Sequence, residues 1–200
     1  MTLVLGLTGG IATGKSTVAG MFLEHNIPLI DTDLIAKDLL KVGNEGYLEV
    51  VKQFKNDDIL LTNNEINRKL LGRIIFSNAQ KRQRLNEIIH PKVIQIVLSE
   101  IEKHKQLGTK VCVVDVPLLF EAKFEQYVDK IVVVYTERDL QIERLIDRDN
   151  ITEEYAHMKI NAQMSLDEKL SRADFVIDNS KSILQTKKGF NEILEQLEVE

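Results

Sequence analysis

The chain carries, close to its N-terminus, the stretch Gly9-Gly10-Ile11-Ala12-Thr13-Gly14-Lys15-Ser16-Thr17. This stretch matches the pattern G-x-x-x-x-G-K-[ST], which is typical of a phosphate-binding loop. An apolar run of strand length, residues 3–7, precedes it, and residues 15–25 after it favour a helix. The loop needs this setting, because its backbone N–H groups meet phosphate oxygens at a helix N-terminus. The sequence therefore predicts a nucleotide-phosphate site here.

Two side chains at the end of the stretch are expected to add a positive charge and a metal ligand. Lys15 would reach the β- and γ-phosphates, and the Ser16 hydroxyl would ligate Mg²⁺. Gly9 and Gly14 permit backbone angles and close approaches that a Cβ would hinder. The predicted nucleotide-binding residues are Gly10, Ile11, Ala12, Thr13, Gly14, Lys15, Ser16 and Thr17. The alternative is a glycine-rich turn without a ligand, and the complete match with its flanking strand and helix disfavours it.

Composition narrows the class of protein. With 200 residues, 44% hydrophobic and 28% charged, the chain is expected to form one domain or a core with an insertion. A net charge of −5 without a long basic run argues against a nucleic-acid partner. No apolar stretch approaches the length of a membrane span, and we expect neither a signal peptide nor an obligatory protein partner. The single cysteine, Cys112, cannot form an internal disulfide, so we expect a cytoplasmic enzyme with a buried thiol.

Further apolar runs predict a parallel sheet. Apart from Lys110, residues 110–114 and 131–135 are apolar with little alternation, as in strands that are buried on both faces. Residues 27–30 and 172–179 add two more strands, which makes five, and residues 183–197 form an amphipathic terminal helix. The nucleotide-binding core is thus expected to comprise residues 1–33, 108–137 and 171–200.

Acidic residues stand where two of these strands end. Asp31 and Asp33 are expected to share one face, because alternate residues of an extended segment point the same way. Strand ends face the ligand crevice in open α/β sheets, so both are candidates for substrate binding, and Asp33 for the general base. Either carboxylate could instead only cap the next helix. Asp115 ends an apolar strand as in a Walker B arrangement, which predicts a second metal ligand.

The long segment 34–107 is expected to be mostly helical. Its apolar residues recur near helical spacing, and it is much longer than a crossover between two strands needs. We predict a helical domain that binds the phosphate acceptor. His90-Pro91 is expected at a junction between two helices, since proline favours a first helical turn. His90 is a candidate substrate residue, and a purely structural role is the alternative.

Residues 138–170 read as a helix, a polar turn and a second helix. Thr136 and Thr152 are expected to cap these two helices. Arg144 and Arg148 are four residues apart and therefore share a helix face. Next to a phosphate-binding loop, we interpret this segment as a lid that closes over the phosphates. The alternative is an ordinary solvated pair of charged helices.

Several motifs together resemble the dephospho-coenzyme A kinase family of the P-loop kinase superfamily. The likeness runs through nearly the whole chain in order, in residues 6–17, 31–36, 90–91, 117–121, 148–149, 162–163 and 172–179. The segments Asp31–Ala36 and Pro117–Glu121 are more specific to this family than the loop itself. The resemblance implies a three-layer α/β fold with a five-stranded parallel sheet, a helical acceptor-binding insertion and a helical lid. It also implies transfer of the γ-phosphate of ATP to the ribose 3′-hydroxyl of dephospho-coenzyme A, the last step of coenzyme A synthesis.

The resemblance completes the set of predicted site residues. Catalysis is assigned to Asp33, Lys15 and Arg148, and Arg144 and Asn179 join the nucleotide-binding loop. Mg²⁺ is assigned to Ser16 and Asp115. Acceptor binding is assigned to Thr8, Asp31, Asp33, His90, Pro117, Leu118 and Leu119.

The chain departs from the family at three places. Ala12-Thr13 stands where the family usually has Gly-Ser, and Ala12 restricts the backbone angle φ of the loop. Lys37 and Lys159 stand where arginine is usual, and lysine keeps the charge but loses the bidentate fork. The nearest alternative function is another small-molecule or nucleoside monophosphate kinase. A GTP-binding module is disfavoured, because it would need an Asn-Lys-x-Asp segment and none occurs.

Overall fold

The computed structural model describes residues 2–197 and confirms the predicted α/β fold. Five strands form one sheet, in chain order Leu3–Gly9 (β1), Leu29–Asp31 (β2), Val111–Asp115 (β3), Lys130–Tyr135 (β4) and Phe175–Asp178 (β5). The helices are Lys15–Glu24 (α1), Thr32–Leu39 (α2), Glu45–Gln53 (α3), Arg68–Ser77 (α4), Ala79–Gln106 (α5), Arg138–Asp149 (α6), Glu153–Asn161 (α7), Leu166–Ser171 (α8) and Ile183–Gln196 (α9). Two short 3-10 helices, Lys55–Asp57 and Phe124–Tyr127, complete the described elements.

The sheet has the strand order β2-β3-β1-β4-β5, and every pair of neighbouring strands is parallel. The first strand lies at the centre, so the loop that follows it opens at the middle of the sheet's carboxyl edge. All five residues of β3 are buried, as its unbroken apolar run predicts. One core cluster joins the sheet to α1 and α9, where the rings of Phe22 and Phe190 meet edge to face with centroids 4.8 Å apart.

The chain divides into two compact units. One comprises Met1–Asp31 and Ile101–Glu200, and it contains the sheet, α1 and α6 to α9. The other, Thr32–Glu100, contains α2 to α4 and most of α5. Most of the predicted helical segment 34–107 therefore lies in a compact unit of its own, whereas residues 101–107 and the predicted lid, residues 138–170, belong to the unit that contains the sheet.

The prediction of a helix junction at His90-Pro91 is wrong. The structure has one helix of 28 residues, α5, with Pro91 inside it. Proline removes one backbone hydrogen bond from a helix interior. However, Leu85, Ile89, Val93 and Val97 are buried at helical spacing on both sides of Pro91. Since most helix stability in proteins comes from burying such a face, the helix continues through the proline.

The expectation that Asp31 and Asp33 share a face of one strand is also wrong. Asp31 is the last residue of β2, and the helix α2 begins directly at Thr32. The alternation of an extended chain therefore ends between the two carboxylates. Thr32 is buried, whereas Asp33 lies exposed in the first helical turn.

One of the two predicted caps of the lid segment is confirmed. Thr152 precedes α7, and its side chain accepts a hydrogen bond from the backbone N–H of Tyr155 at 3.3 Å. Thr136 is not a cap, because α6 begins two residues later, after Glu137, and Thr136 itself is buried. The structure adds a third helix, α8, which is capped by Ser165.

Within residues 2–197, no helix has both the length and the apolar composition to span a bilayer. This finding agrees with the absence of any long apolar stretch in the sequence.

The buried thiol of Cys112 should be chemically inert in the folded protein. Its side chain is fully buried in β3, and desolvation, with a smaller contribution from Asp129, raises the pKa of Cys112 to about 11. At about pH 8 only about one molecule in a thousand would carry a thiolate, which is the reactive form. We expect alkylation by iodoacetamide to be at least about 100-fold slower in the native protein than in guanidinium chloride. Comparable rates in the two states would contradict this placement of β3.

Candidate active site

The glycine-rich loop connects the central strand to its helix over five residues. β1 ends at Gly9 and α1 begins at Lys15. Gly14 has φ +88°, and a Cβ at this position would lie 2.0 Å from Nδ2 of Asn179. Glycine is thus required at Gly14 by both the backbone angle and the space.

Ala12 adopts a left-handed backbone, with φ +61°. This conformation costs an L-residue about 1–2 kcal/mol, and glycine would avoid the cost. Ile11 and Ala12, however, pack against a hydrophobic cluster of the lid segment, which consists of Ile142, Leu145, Ala156 and Ile160. The side chain of Ala12 therefore gains contacts that a glycine at this position would lack.

Lys15 forms an ion pair with Asp115. Asp115 is the last residue of β3, and its side chain is 7% exposed, compared with 17% for Lys15. In the sheet register, Asp115 lies opposite Leu7 on one side and Asp31 on the other. Residues in register on parallel strands point to the same face, so Asp31 shares its face with Asp115 rather than with Asp33.

The residues predicted to hold Mg²⁺ have suitable chemistry. Ser16 is exposed in the first turn of α1 and offers a hydroxyl oxygen, while Asp115 offers a carboxylate. These hard oxygen ligands are the kind that Mg²⁺ prefers. Among residues 2–197 no cluster of three or more histidine, cysteine or acidic side chains could hold a metal. The donor set thus fits an ion that completes its shell with water and nucleotide oxygens.

The loop after β3 contains three of the predicted acceptor residues. Leu118 is exposed, whereas Leu119 is fully buried, and its Cδ1 would lie 2.7 Å from a Cβ at Gly6. Thr8 is also fully buried, and its hydroxyl donates to the carbonyl of Pro117 at 3.2 Å. Thr8 and Leu119 therefore shape this loop from inside the core, while Leu118 lies on its surface.

Sequence reasoning did not identify Lys169 as part of the site. Its side chain is fully buried, with Nζ 3.0 Å from a carboxylate oxygen of Glu121 and 3.4 Å from the carbonyl oxygen of Gly9. Glu121 also accepts from the backbone N–H of Met164 at 2.9 Å. Lys169 stands in the charged stretch Asp167–Lys169, which looks like a solvated surface, so no local signal marks its burial.

Two predicted nucleotide-binding residues, Arg144 and Asn179, lie beside the loop. Asn179 Nδ2 donates to the carbonyl of Thr13 at 2.8 Å, and its Oδ1 accepts from the hydroxyl of Thr186 at 2.9 Å. Arg144 donates to the backbone carbonyl of Asn179 at 3.0 Å and to the hydroxyl of Thr136 at 3.4 Å. The Asn179 side chain is therefore bonded to the protein through both of its polar atoms.

Arg148 stands at the end of α6 and contacts its neighbour Asp149. The distance between Arg148 Nε and Asp149 Oδ1 is 2.8 Å, and Lys159 Nζ lies 2.5 Å from Oδ2 of the same carboxylate. Hydrogen bonds from Arg148 and Lys159 lower the pKa of Asp149 to about 2. Asp149 thus links the end of α6 to α7 through two cations, and Arg148 keeps a side chain that is 55% exposed.

Asp33 and His90 belong to the unit Thr32–Glu100, and Asp31 to the unit that contains the sheet. His90 lies in the middle of α5, where partial desolvation lowers the pKa of its imidazole. Their assignment to acceptor binding and catalysis stays a prediction.

Replacing Gly14 by alanine should weaken nucleotide binding. The new Cβ would overlap Asn179 Nδ2 and would occupy a left-handed backbone, so we expect ATP affinity to fall at least about tenfold and stability to fall by about 1–2 kcal/mol. Calorimetric titration with ATP and a thermal melt measure both. Gly20→Ala is the matched control, because nothing lies within 4 Å of its Cβ and alanine favours the α1 helix. Equal ATP binding by both variants would contradict this loop geometry.

Comparison with known proteins identifies the family of this chain. The family model for dephospho-CoA kinase matches residues 3–185. A dephospho-CoA kinase of Listeria innocua is 46% identical over 184 residues, covering 92% of each chain. One of Geobacillus kaustophilus is 46% identical over 196 residues, covering 98% of this chain and 97% of that protein.

A solved structure of a dephospho-CoA kinase is also similar to this chain. The dephospho-CoA kinase from Campylobacter jejuni superimposes with a TM-score of 0.75 at 29% identity, and the match covers 98% of both chains.

Proposed function

The chain belongs to the dephospho-CoA kinase family, whose activity is the ATP-dependent phosphorylation of dephospho-CoA, and we propose that it transfers the γ-phosphate of ATP to the ribose 3′-hydroxyl. The observation that carries the proposal is the Lys15–Asp115 ion pair directly after a glycine-rich loop at the centre of the sheet. It combines a cation for the phosphates with a carboxylate at the neighbouring strand end. Phosphoryl transfer depends mainly on such positioning and charge stabilisation.

In our proposal, the loop residues 10–17 bind the phosphates of ATP through backbone N–H groups, and Lys15 neutralises charge on the β- and γ-phosphates. The ammonium of Lys15 is paired with Asp115. A phosphate is negatively charged like Asp115 and offers the ammonium a second partner. The ion pair with Asp115 therefore holds Lys15 close to the position from which it would contact the phosphates of ATP.

Mg²⁺ would be held by the Ser16 hydroxyl and the Asp115 carboxylate. When bound, it would supply positive charge to the phosphate oxygens. The support is the chemistry of these two oxygen donors.

The general base in this proposal is Asp33. A ribose hydroxyl is a poor nucleophile until its proton has an acceptor, and kinases commonly use an aspartate both to accept the proton and to orient the oxygen. Asp33 follows Asp31 by two residues, so chain connectivity keeps it close to the carboxyl end of β2. Asp31, in register with Asp115, is the alternative base or an acceptor ligand.

The remaining predicted residues complete the proposal. Arg144 and Arg148 act when the lid segment closes over the phosphates, and the side chain of Arg148 is 55% exposed. Acceptor binding is assigned in this proposal to His90 of the helical unit and to Thr8, Pro117, Leu118 and Leu119 of the unit that contains the sheet. The lone buried Cys112, with no internal disulfide partner, supports a cytoplasmic enzyme, and we propose no obligatory protein partner.

The direct test measures ADP release from ATP with dephospho-CoA as acceptor, in a coupled assay with Mg²⁺. We expect turnover with dephospho-CoA and none above background with AMP or shikimate. The position of the new phosphate is read from the product by ³¹P NMR. Phosphorylation of any group other than the 3′-hydroxyl would refute the proposed reaction.

The choice of base is tested by Asp33→Asn, which keeps the shape and removes the carboxylate. Because Asp33 is exposed, the variant should fold normally and bind ATP like the wild type, while kcat falls about 10²–10⁴-fold. Asp31→Asn is the matched comparison and should have a smaller effect. If Asp31→Asn loses kcat while Asp33→Asn keeps it, then the base is Asp31, the carboxylate beside Asp115.

A further inference from the structure

Three side-chain nitrogens hold alternate carbonyl groups of the glycine-rich loop. Lys169 Nζ lies 3.4 Å from the carbonyl oxygen of Gly9, and Gln141 Nε2 lies 2.8 Å from that of Ile11. Asn179 Nδ2 lies 2.8 Å from the carbonyl oxygen of Thr13. We call Lys169, Gln141 and Asn179 the carbonyl donors. They come from α8, α6 and the segment after β5, and each is 130 to 166 residues from the carbonyl it binds.

The carbonyl donors are all buried, with exposed fractions of 0% for Lys169, 1% for Gln141 and 7% for Asn179. Burying an amide or an ammonium is unfavourable unless it finds hydrogen-bond partners. Two of the three donors have a further partner that orients them, because Glu121 pairs with Lys169 and the Thr186 hydroxyl donates to Asn179 Oδ1. These polar groups are thus built into the protein to face the loop, and they are not surface side chains that happen to touch it.

The glycines of the loop make room for two of these donors. A Cβ at Gly10 would lie 2.6 Å from Gln141 Nε2, and a Cβ at Gly14 would lie 2.0 Å from Asn179 Nδ2. Both distances are far too short for a carbon and a nitrogen that are not bonded. Glycine therefore stands at the two positions of the loop where Gln141 and Asn179 approach it most closely.

Both backbone polar groups of Ile11 form hydrogen bonds to side chains. Its N–H donates to Gln163 Oε1 at 2.9 Å, while its carbonyl accepts from Gln141. Its side chain packs, with that of Ala12, against the lid cluster defined above. These contacts surround the one residue of the loop, Ala12, that carries a Cβ in a left-handed backbone.

We propose that Lys169, Gln141 and Asn179 are positioning residues, which turn the carbonyl dipoles of Gly9, Ile11 and Thr13 away from the nucleotide before ATP arrives. The proposal rests on the proposed role of the loop in binding ATP phosphates. A carbonyl oxygen that faced a phosphate would repel it, and a glycine-rich loop can rotate its peptide planes easily. Holding the carbonyls from outside removes this freedom in advance, so that the N–H groups are arranged for the anion.

The donors also connect the loop to the lid segment. Gln141 lies in α6 and Lys169 in α8, and both belong to the predicted lid, residues 138–170. These two hydrogen bonds thus join the lid segment to the loop. Movements of the lid should therefore change the stability of the loop conformation, and changes in the loop should alter the position of the lid.

The first test replaces Gln141 by methionine, which keeps the length of the side chain and removes the donor. We expect the dissociation constant of ATP and the KM for ATP to rise about two- to tenfold, the range that one net hydrogen bond supplies. The KM for dephospho-CoA should stay unchanged. In the ligand-free protein, amide hydrogen exchange of residues 11–15 should become faster. Gln126→Met is the matched control, because Gln126 is exposed and its Nε2 donates to a backbone carbonyl, that of Lys123, outside the loop.

Asn179→Ala is the second variant, in case Gln141→Met does not fold. It should accelerate exchange at Thr13 and Gly14 and weaken ATP binding to a similar extent. Wild-type ATP affinity and wild-type exchange in these variants would overturn the proposal. Equal losses for ATP and dephospho-CoA with a lowered Tm would overturn it too, because the donors would then only stabilise the fold. If the wild type does not phosphorylate dephospho-CoA, the proposed function fails, and exchange in the ligand-free protein still decides the role of the donors.

Discussion

A loop that binds phosphate through its backbone must keep its carbonyl oxygens away from the anion, and much of this structure serves that electrostatic constraint. Glycine provides the flexibility that the loop needs, but flexibility alone does not select one orientation of the peptide planes. Here the selection comes from Lys169, Gln141 and Asn179, whose nitrogens bind alternate carbonyls from outside. The loop is thus shaped by three distant segments that pack around it.

The lid segment and the loop share a hydrophobic cluster as well as hydrogen bonds. Ile11 and Ala12 pack against side chains of α6 and α7, so part of the loop's surface is covered by the predicted lid segment. This contact explains how alanine can occupy a left-handed position that favours glycine, since buried methyl groups offset some of the backbone cost. Asp149, held between Arg148 and Lys159, links the two lid helices at their polar turn.

Two acidic residues lie side by side at the carboxyl edge of the sheet. Asp31 and Asp115 are in register on neighbouring strands, and Lys15 pairs with Asp115. Asp33 follows Asp31 by only two residues. However, its backbone is helical, because α2 begins at Thr32, whereas Asp31 and Asp115 lie in strands. One carboxylate pair therefore belongs to the sheet, and Asp33 belongs to the first turn of the helical unit.

The sequence by itself determined the features that depend on local spacing. The loop pattern, the unbroken apolar strands, the order of the elements and the family motifs are all readable because backbone preferences and side-chain periodicity act over a few residues. The cap at Thr152 and the burial of Cys112 are of the same kind.

Only the tertiary structure decided which polar residues lie inside. Lys169 and Gln141 look like surface residues of charged helices until packing buries both. Pro91 looks like a helix start until a continuous buried face carries α5 through it. The physical reason is that burial and long-range hydrogen bonds depend on partners more than a hundred residues away in the chain, as for Gln141 and Ile11, and no local pattern encodes that distance.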